Sequence, residues 1–197
     1  MQAAAFVLAG GRSSRMGRDK ALLGRGSRSL IEEVAATVAI VAGNVTLVGA
    51  PERYRALGFD CLPDLRPGCG PLGGVETALA AGRGEFNLIA ACDMPGIRTS
   101  WAHALLRAAS ETGALCAAAR DTAGRIHPLC AVYRTGCLPA VRAMLDAGRF
   151  KLLSLLEEVN AIAIDIGGKP WNLNTPQDWN AWSREEDVAA PPASNDA

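Results

Sequence analysis

Positive charge is concentrated directly after the first apolar run of the chain. Residues 4–9 are apolar, Gly10 and Gly11 follow, and four cations stand before position 21: Arg12, Arg15, Arg18 and Lys20. Paired glycines let backbone N–H groups approach an anion, and the cations add charge at the same place. The segment predicts a polyphosphate-binding loop, with a flexible turn and solvated arginines as the structural alternative. It is not a Walker A loop, because Lys20 does not directly follow a glycine and no Ser or Thr follows it.

A second glycine-rich loop, at residues 67–74, contains the spacing GxGxxG. Asp93 follows about 20 residues later at the end of an apolar run, as a dinucleotide-binding fingerprint requires. An NAD-dependent Rossmann oxidoreductase is therefore one alternative. Pro71 counts against it, because proline removes a backbone donor inside the loop, and Pro63 interrupts the preceding strand. We expect Pro71 instead to open a helix reaching residue 81, whose N-terminus can hold part of a ligand.

Two carboxylates stand next to these features. Asp64 precedes the second loop, where it can accept hydrogen bonds from a ribose or base, or simply cap a turn. Asp93 follows the apolar run of residues 86–92 and precedes Met94 and Pro95. A carboxylate at the carboxyl end of a central strand, opposite a cationic phosphate loop, is well placed to hold a Mg²⁺ that bridges phosphate oxygens. A helix cap or an Asx turn is the alternative without a ligand.

The second half of the chain offers weaker candidates. His127 opens a predicted strand, where a lone histidine is either a structural residue or a substrate contact. Asn172 and Asn174 alternate onto one side of an extended segment, and their amides can contact a substrate. Thr175 and Pro176, which follow, suit the N-cap and first position of a helix from residue 177.

The elements that must position these residues alternate along the chain. Apolar runs at residues 4–9, 45–48 and 86–91 are separated by helical patterns, which is the signature of βαβ units in a three-layer α/β domain. A helix near residues 101–112, strands near 115–119, 127–133 and 161–166, and helices on either side of Phe150 predict a mostly parallel, mixed sheet. In such sheets ligands bind beyond the carboxyl ends of strands, which is where the candidate residues stand.

Composition narrows the class of protein. The chain has 197 residues, 49% of them apolar, and twenty Lys and Arg balance twenty Asp and Glu. We therefore expect no nucleic-acid partner and no membrane association. We predict one domain at residues 1–182, a disordered tail at 183–197, reduced structural thiols for the six dispersed cysteines, and a cytoplasmic location.

Taken in chain order, the motifs resemble those of the molybdenum cofactor guanylyltransferases, the MobA-type branch of the nucleotidyltransferases. The resemblance covers about residues 4–182. It is carried by Leu8-Ala9-Gly10-Gly11, Arg15-Met16-Gly17-Arg18-Asp19-Lys20-Ala21-Leu22, Asp64 with the loop at 67–74, Cys92-Asp93-Met94-Pro95, His127-Pro128-Leu129 and Asn172-Leu173-Asn174-Thr175-Pro176.

The resemblance implies a Rossmann-like nucleotidyltransferase fold and the transfer of GMP from Mg-GTP to the terminal phosphate of molybdenum-bound molybdopterin, with release of pyrophosphate. It implies these residue roles: Leu8, Ala9, Gly10 and Gly11 hold the nucleotide, Arg15 and Lys20 bind its phosphates, Asp64 helps to hold the nucleoside, Asp93 binds Mg²⁺, and Asn172 and Asn174 lie near the pterin or the reacting phosphates. Arg15, Lys20 and Asp93 would be the catalytic residues. Molybdopterin-inserting proteins or molybdoenzymes are the implied partners.

Other functions remain open at this point. Relatives that transfer CMP to the same pterin tend to carry Leu-Ala-Ala-Gly, whereas this chain has Leu-Ala-Gly-Gly at residues 8–11. Guanylyltransferases can carry an asparagine nucleotide contact after the second strand. This chain has Gly49 and Ala50 there, so the resemblance does not supply that contact. A molybdopterin-binding adaptor without catalysis is the alternative of another class. Lys20 and Asp93 count against it, since a pure binder need not keep both.

Overall fold

A mixed sheet of seven strands forms the centre of the molecule, whose computed structural model describes residues 2–9, 19–25, 28–175 and 177–182. The strands of this sheet are β1 (Ala3–Ala9), β4 (Thr46–Gly49), β5 (Asp60–Pro63), β6 (Phe86–Ala91), β7 (Cys116–Arg120), β8 (Ile126–Arg134) and β9 (Ile162–Asp165). Their order is β5-β4-β1-β6-β8-β7-β9. The first four in that order are parallel, β8 is antiparallel to both of its neighbours, and β9 is parallel to β7. The predicted mixed, mostly parallel sheet is confirmed.

Helices cover both faces of the sheet. They are α1 (Leu30–Ala42), α2 (Pro51–Tyr54), α3 (Gly70–Ala80), α4 (Thr99–Thr112), α5 (Leu138–Asp146) and α6 (Leu152–Glu158), with a last helix at residues 177–182. Side chains of α1 and α4 pack on one face, and those of α3, α5 and α6 pack on the other. The chain therefore has the three-layer α/β architecture that the alternating pattern predicts.

Strand β1 shows how the sheet organises the core. Ala5, Val7 and Ala9 belong to the cluster under α1 and α4, whereas Ala4, Phe6 and Leu8 belong to the cluster under α3, α5 and α6. Successive side chains of a strand point to opposite faces, so a strand covered on both faces is apolar along nearly its whole length. This explains the uninterrupted apolar run, and it leaves polar residues only beyond the strand's end.

Several local boundaries follow from capping and turn chemistry. Ser29 and Glu32 form a capping box at the start of α1, and Gly43 ends that helix in the left-handed conformation. Pro71 lies in the first turn of α3, as predicted. Pro63 is the last residue of β5 rather than an interruption of it, which suits proline because β5 is an edge strand.

Some segments differ from the predictions or lie outside the described residues. A short hairpin of β2 (Gly24–Arg25) and β3 (Arg28–Ser29) and the single turn α2 have no counterpart in the predictions. Within the described ranges, no helix is long and apolar enough to cross a bilayer. Pro176 and the proposed tail at 183–197 lie outside these ranges, so the domain boundary stays a prediction.

Candidate active site

The carboxyl ends of four parallel strands meet at one edge of the sheet. β1, β4, β5 and β6 end there at Ala9, Gly49, Pro63 and Ala91. Because β8 runs antiparallel to β6, its first residues enter at the same edge. The fold thus collects at one edge loops that are far apart in sequence, which is where open α/β sheets bind ligands.

Lys20 and Asp93 form the polar centre of this edge. The Nζ atom of Lys20 lies 3.0 Å from Oδ2 of Asp93, and the two side chains are 13% and 25% exposed. Lys20 also donates to Oδ1 of Asn174 at 3.2 Å. Lys20, predicted to bind phosphate, is therefore in direct contact with Asp93, predicted to bind the metal, and with Asn174, predicted to contact the substrate. Lys20 and Asn174 are 154 positions apart in the chain.

The asparagine segment is tied to the same centre. The backbone N–H of Leu173 donates to the carbonyl oxygen of Asp93 at 3.0 Å. Asn174 Nδ2 donates to Oδ1 of Asn172 at 2.7 Å, so the two predicted amides form one pair. Both asparagines are exposed. Their polar groups consequently face outward beside the Lys20–Asp93 pair, where a substrate has access to them.

The last helix anchors this segment. Thr175 Oγ1 accepts from the N–H of Asp178, and the Asp178 carboxylate accepts from the N–H groups of Asn174 and Thr175 at 3.0 and 2.8 Å. Thr175 is therefore the N-cap, as predicted. Trp182 is buried with Leu30 and Leu173 in a small separate cluster. This packing presses the segment against the start of α1 and holds Asn174 in place.

Asp93 is the best-placed group for a metal ion. No set of three or more acidic, His or Cys side chains among the described residues is arranged to hold one. Mg²⁺, however, usually takes one or two carboxylates and completes its shell with water and substrate phosphates. A partly exposed carboxylate beside a lysine fits an ion that arrives with a polyphosphate. It does not fit an ion enclosed in an all-protein cage.

The residue before Asp93 is not a nucleophile. Burial, and then the charge of Asp93, raises the pKa of Cys92 to about 12. The thiolate is the reactive form of cysteine, so this side chain stays protonated and inert near neutral pH. The site therefore offers charge and hydrogen bonds and no activated thiol.

The first loop is described only at its two ends. The carbonyl oxygen of Leu8 accepts from the N–H of Cys92 at 3.1 Å, and the Leu8 side chain packs against Gly74 of α3. The carbonyl oxygen of Ala9 lies 2.9 Å from the phenol oxygen of Tyr54. Gly10, Gly11 and Arg15, like the rest of residues 10–18, lie outside the described residues. Nucleotide binding by this loop therefore stays a prediction.

Asp64 stands at the far side of the same edge. It follows β5, which is separated from β6 by β4 and β1, so about 14 Å of sheet lies between the ends that carry Asp64 and Asp93. Burial raises the pKa of Asp64, whose side chain is half-buried. The structure does not bring Asp64 to the Lys20–Asp93 pair. It places the carboxylate where only the opposite end of an extended ligand would reach it.

The glycine loop between Asp64 and α3 follows an edge strand instead of opening the central βαβ unit. Gly68 and Gly70 both have positive φ angles, of 85° and 62°, which favour glycine. A Cβ at Gly73 would lie 3.1 Å from the carbonyl oxygen of Arg66. Turn geometry and close backbone packing thus account for glycine at these positions without a dinucleotide.

His127 has a buried partner that was not predicted. Its Nε2 atom lies 2.8 Å from Oδ2 of Asp121, and the side chains are 9% and 1% exposed. The other Asp121 oxygen accepts from the N–H groups of Ala123 and Arg125, both at 2.9 Å. The β6–β8 ladder ends at Ala90 and Cys130, three residues short of Asp93 and His127 respectively. His127 is therefore at the candidate site's edge, and its role as a substrate contact stays a prediction.

Four further residues shape the site without having been predicted as site residues: Asp19, Tyr54, Asp121 and Asp178. Asp19 directly precedes Lys20, and its side chain caps the 3₁₀ turn Lys20–Leu22. Aspartate is a favoured N-cap residue, so the sequence does contain a signal for this role. Asp178 stands three residues after Thr175, as in a capping box. Tyr54 carries no comparable local signal, because its partners Ala9 and Asp19 lie 45 and 35 positions away in the chain. Asp121 differs, because its partners follow within six positions.

The chain is similar in sequence to known nucleotidyltransferases. A family model described as the MobA-like NTP transferase domain matches residues 5–161. A probable molybdenum cofactor guanylyltransferase of Pelotomaculum thermopropionicum is 35% identical over 189 residues, covering 90% of both chains. Another from Flavobacterium johnsoniae is 33% identical and covers 78% of this chain and 80% of the relative.

A solved structure supports the fold in particular. The crystal structure of molybdopterin-guanine dinucleotide biosynthesis protein A from Archaeoglobus fulgidus has a TM-score of 0.76 at 22% identity, over 94% of this chain and 98% of that one. With polar groups gathered at the carboxyl edge of the same mixed sheet, and with relatives matched over most of their length, the chain belongs to the MobA-like NTP transferase family of nucleotidyltransferases.

Proposed function

We propose that this protein transfers GMP from Mg-GTP to the terminal phosphate of molybdenum-bound molybdopterin and releases pyrophosphate. The observation that carries the proposal is the contact of Lys20 with both Asp93 and Asn174 at the carboxyl edge of the sheet. It joins a phosphate-binding cation, a metal-binding carboxylate and a polar segment suited to the second substrate. The names of the curated relatives supply the substrate class.

The reaction needs little acid–base help from the protein. An oxygen of the pterin phosphate attacks the α-phosphorus of GTP, the bond between that phosphorus and the bridging oxygen to the β-phosphate breaks, and pyrophosphate leaves with the electron pair. The attacking phosphate is already ionised near neutral pH. Catalysis then depends on aligning the two phosphates and on neutralising the charge of the leaving group.

Lys20 and Asp93 meet these two needs. Lys20 binds the polyphosphate as a charge-assisted donor, moving from Asp93 to the phosphate oxygens when the nucleotide enters. Arg15, which belongs to the loop at residues 10–18, is proposed to bind the same phosphates. Asp93 would hold Mg²⁺ through its partly exposed carboxylate, and the bound ion supplies charge neutralisation at the phosphate oxygens.

The remaining candidates divide between the two substrates. Asn172 and Asn174 are exposed beside Lys20, so their amides can orient the pterin phosphate next to the nucleotide. Asp64 and the backbone of Leu8, Ala9, Gly10 and Gly11 would hold the nucleoside on the β5 side of β1. A nucleotide lying across the ends of β4 and β1 would place its sugar toward Asp64 and its phosphates toward Lys20.

The direct test is turnover of purified molybdenum-molybdopterin with Mg²⁺ and each of the four NTPs, followed by detection of the dinucleotide and of pyrophosphate. We expect kcat/KM to be far higher for GTP, because a site that hydrogen-bonds one base leaves polar groups unpaired with another. Asp93→Asn is the matched control for background release of pyrophosphate.

Each outcome of this assay has a distinct meaning. Comparable kcat/KM for CTP would replace guanylyl by cytidylyl transfer and leave nucleotidyl transfer standing. Tight binding of GTP and pterin without pyrophosphate release would favour a carrier that hands the pterin to a molybdoenzyme. Absence of both binding and turnover with any of the four NTPs would overturn the proposal.

A further inference from the structure

Tyr54 makes contacts on both sides of the first loop. Its phenol oxygen lies 2.9 Å from the carbonyl oxygen of Ala9 and 3.0 Å from Oδ2 of Asp19. Ala9 is the last residue of β1, and Asp19 directly precedes the turn that begins with Lys20. Tyr54 is only 1% exposed and packs in the core cluster under α1 and α4. One buried side chain therefore connects the end of the central strand with the backbone that carries Lys20.

Asp19 transmits this contact to Lys20. While Oδ2 of Asp19 meets the phenol, its Oδ1 atom accepts from the backbone N–H of Ala21 at 3.1 Å. The carboxylate thus caps the 3₁₀ turn Lys20–Leu22, whose first residue reaches Asp93 and Asn174. A shift of the Asp19 carboxylate would move the start of this turn and, with it, the point from which the lysine side chain extends.

The phenol is a dependable donor in this position. Burial, and then the charge of Asp19, raises the pKa of Tyr54 well above its ordinary value, so the hydroxyl keeps its proton. A phenol has one proton, and a carboxylate is a stronger acceptor than a carbonyl, so Asp19 is the favoured partner. Among the described residues, the guanidinium of Arg53 also lies 3.5 Å from the Asp19 carboxylate, with a side chain that is 55% exposed. Solvent weakens that ion pair, which leaves the buried phenol as the firmer hold.

We propose that Tyr54 is a positioning residue, which acts through Asp19 to set the location of Lys20 in the nucleotide site. Its catalytic consequence rests on the proposed function, because Lys20 matters for rate only if a polyphosphate binds there. Its structural consequence, the immobilisation of the turn after Asp19, does not depend on any substrate.

The first experiment is a double-mutant cycle of Tyr54→Phe and Lys20→Ala, read out as kcat/KM for GMP transfer. We expect Tyr54→Phe alone to lower kcat/KM about tenfold, the size of one lost hydrogen bond to a charged group. In the Lys20→Ala background the same change should have almost no further effect, because the lysine it positions is gone. Losses that simply multiply would overturn the proposal.

Thr46→Val is the control for loss of a buried hydroxyl elsewhere. Thr46 is 1% exposed, and its Oγ1 accepts from Arg83 at 2.8 Å at the amino end of β4, away from the site. Thr46→Val should lower the free energy of unfolding without changing kcat/KM. If Tyr54→Phe folds poorly, Asp19→Asn replaces it in the cycle, since the amide keeps an acceptor for Ala21 but loses the charge. Asp19→Asn, like Tyr54→Phe, should cause almost no further loss of kcat/KM when it is combined with Lys20→Ala.

The second experiment measures amide hydrogen exchange at Ala21 in the ligand-free protein. Tyr54→Phe should accelerate exchange at this amide about tenfold, and Thr46→Val should not, because only the first loosens the Asp19 cap. Unchanged exchange at Ala21 would overturn the proposal even if activity fell. If the wild-type protein transferred no GMP, the proposed function would fail while this measurement still decided the role of Tyr54.

Discussion

The two ends of the central sheet use polar residues in opposite ways. At the amino end of β6, the Asn87 amide is fully buried and donates to the carbonyl oxygens of Gly84 and Tyr133 at 3.3 and 3.2 Å. At the carboxyl end of the same strand, Asp93 and Lys20 remain partly exposed and contact other side chains. The first arrangement uses buried backbone acceptors, whereas the second presents charge to the solvent.

This difference separates stability from function. The buried Asn87 amide fixes the packing of β6 against β8. Replacing its hydrogen bonds to backbone carbonyl oxygens by hydrogen bonds to water is unfavourable, because the amide would have to leave the core. A lysine held between a carboxylate and an amide can exchange these partners for phosphate oxygens at little cost, because the new hydrogen bonds are also charge-assisted. The polar groups at the carboxyl end are therefore suited to exchanging partners with a ligand, and those at the amino end are suited to stabilising the fold.

The largest expected effect is that of Asp93→Asn. The amide keeps the shape and the backbone contact with Leu173 but loses the charge that would hold Mg²⁺. We expect magnesium-dependent transfer to fall at least about a hundredfold, comparable to losing a preorganised electrostatic contact in other enzymes. Steady-state kinetics across a Mg²⁺ titration, with circular dichroism to verify folding, measures this. Wild-type turnover by the folded variant would remove Asp93 as the metal residue.

Lys20→Ala should have the next largest effect on activity. It removes one charge-assisted phosphate contact, worth about 1.5–3 kcal/mol, so GTP affinity and kcat/KM should both fall. Isothermal titration with Mg-GTP and initial rates give the two quantities. Unchanged values for both would mean that the turn after Asp19 is structural and that the two ends of the sheet do not differ in the proposed way.

Asn87→Ala tests the opposite end. It leaves the carbonyl oxygens of Gly84 and Tyr133 without the amide donor, which should lower the free energy of unfolding by about 1–3 kcal/mol. Because Asn87 lies at the amino end of β6, kcat/KM for GMP transfer at a temperature where the variant is folded should be unchanged. Urea unfolding and kinetics of the same sample check both parts. A selective loss of activity would contradict the separation of the two ends.

The smallest effect concerns Asp121, an exception at the carboxyl end because its carboxylate and the His127 ring that contacts it are both buried. The hydrogen bond from His127, followed by those from the backbone of Arg125 and Ala123, lowers the pKa of Asp121. Such a group stabilises the fold above the ordinary carboxyl pKa, and this contribution is lost as pH falls through the lowered pKa. The stability difference between wild type and Asp121→Asn should therefore shrink only in acid. Urea unfolding at a series of pH values tests this, and a constant difference would contradict it.

Most of the sheet was predictable, because its strands have unambiguous patterns. The run at residues 4–9 became β1 (Ala3–Ala9), and the run at 86–91 became β6 (Phe86–Ala91). Both strands are covered on two faces, so their residues are apolar apart from Asn87 of β6, whose amide donates to backbone carbonyl oxygens. Helix α1 (Leu30–Ala42) occupies the helical pattern between the first two apolar runs. The hairpin of β2 and β3 was missed, since two-residue strands have no period to detect.

The site was predictable as a set of residues and not as an arrangement. Lys20, Asp93, Asn172 and Asn174 were found through local motifs, and the structure brings these four together. Asp64 was found in the same way but lies three strands from Asp93. Strand order decides which loops meet, and no local pattern encodes it. Tyr54 was missed for the same reason, because its partners Ala9 and Asp19 are 45 and 35 positions away. Asp121 was missed although its partners follow within six positions.

The contact between Lys20 and Asn174 also bears on how the protein is made. Ribosomes synthesise the amino end first, and these two residues are 154 positions apart. The strands up to β9 can pair before Asn174 has emerged. Lys20 acquires its amide partner only when the segment that precedes the last helix has docked, together with Trp182 of that helix, against Leu30. A chain that ended after β9 would contain all seven strands of the sheet and would lack Asn174 as a partner of Lys20.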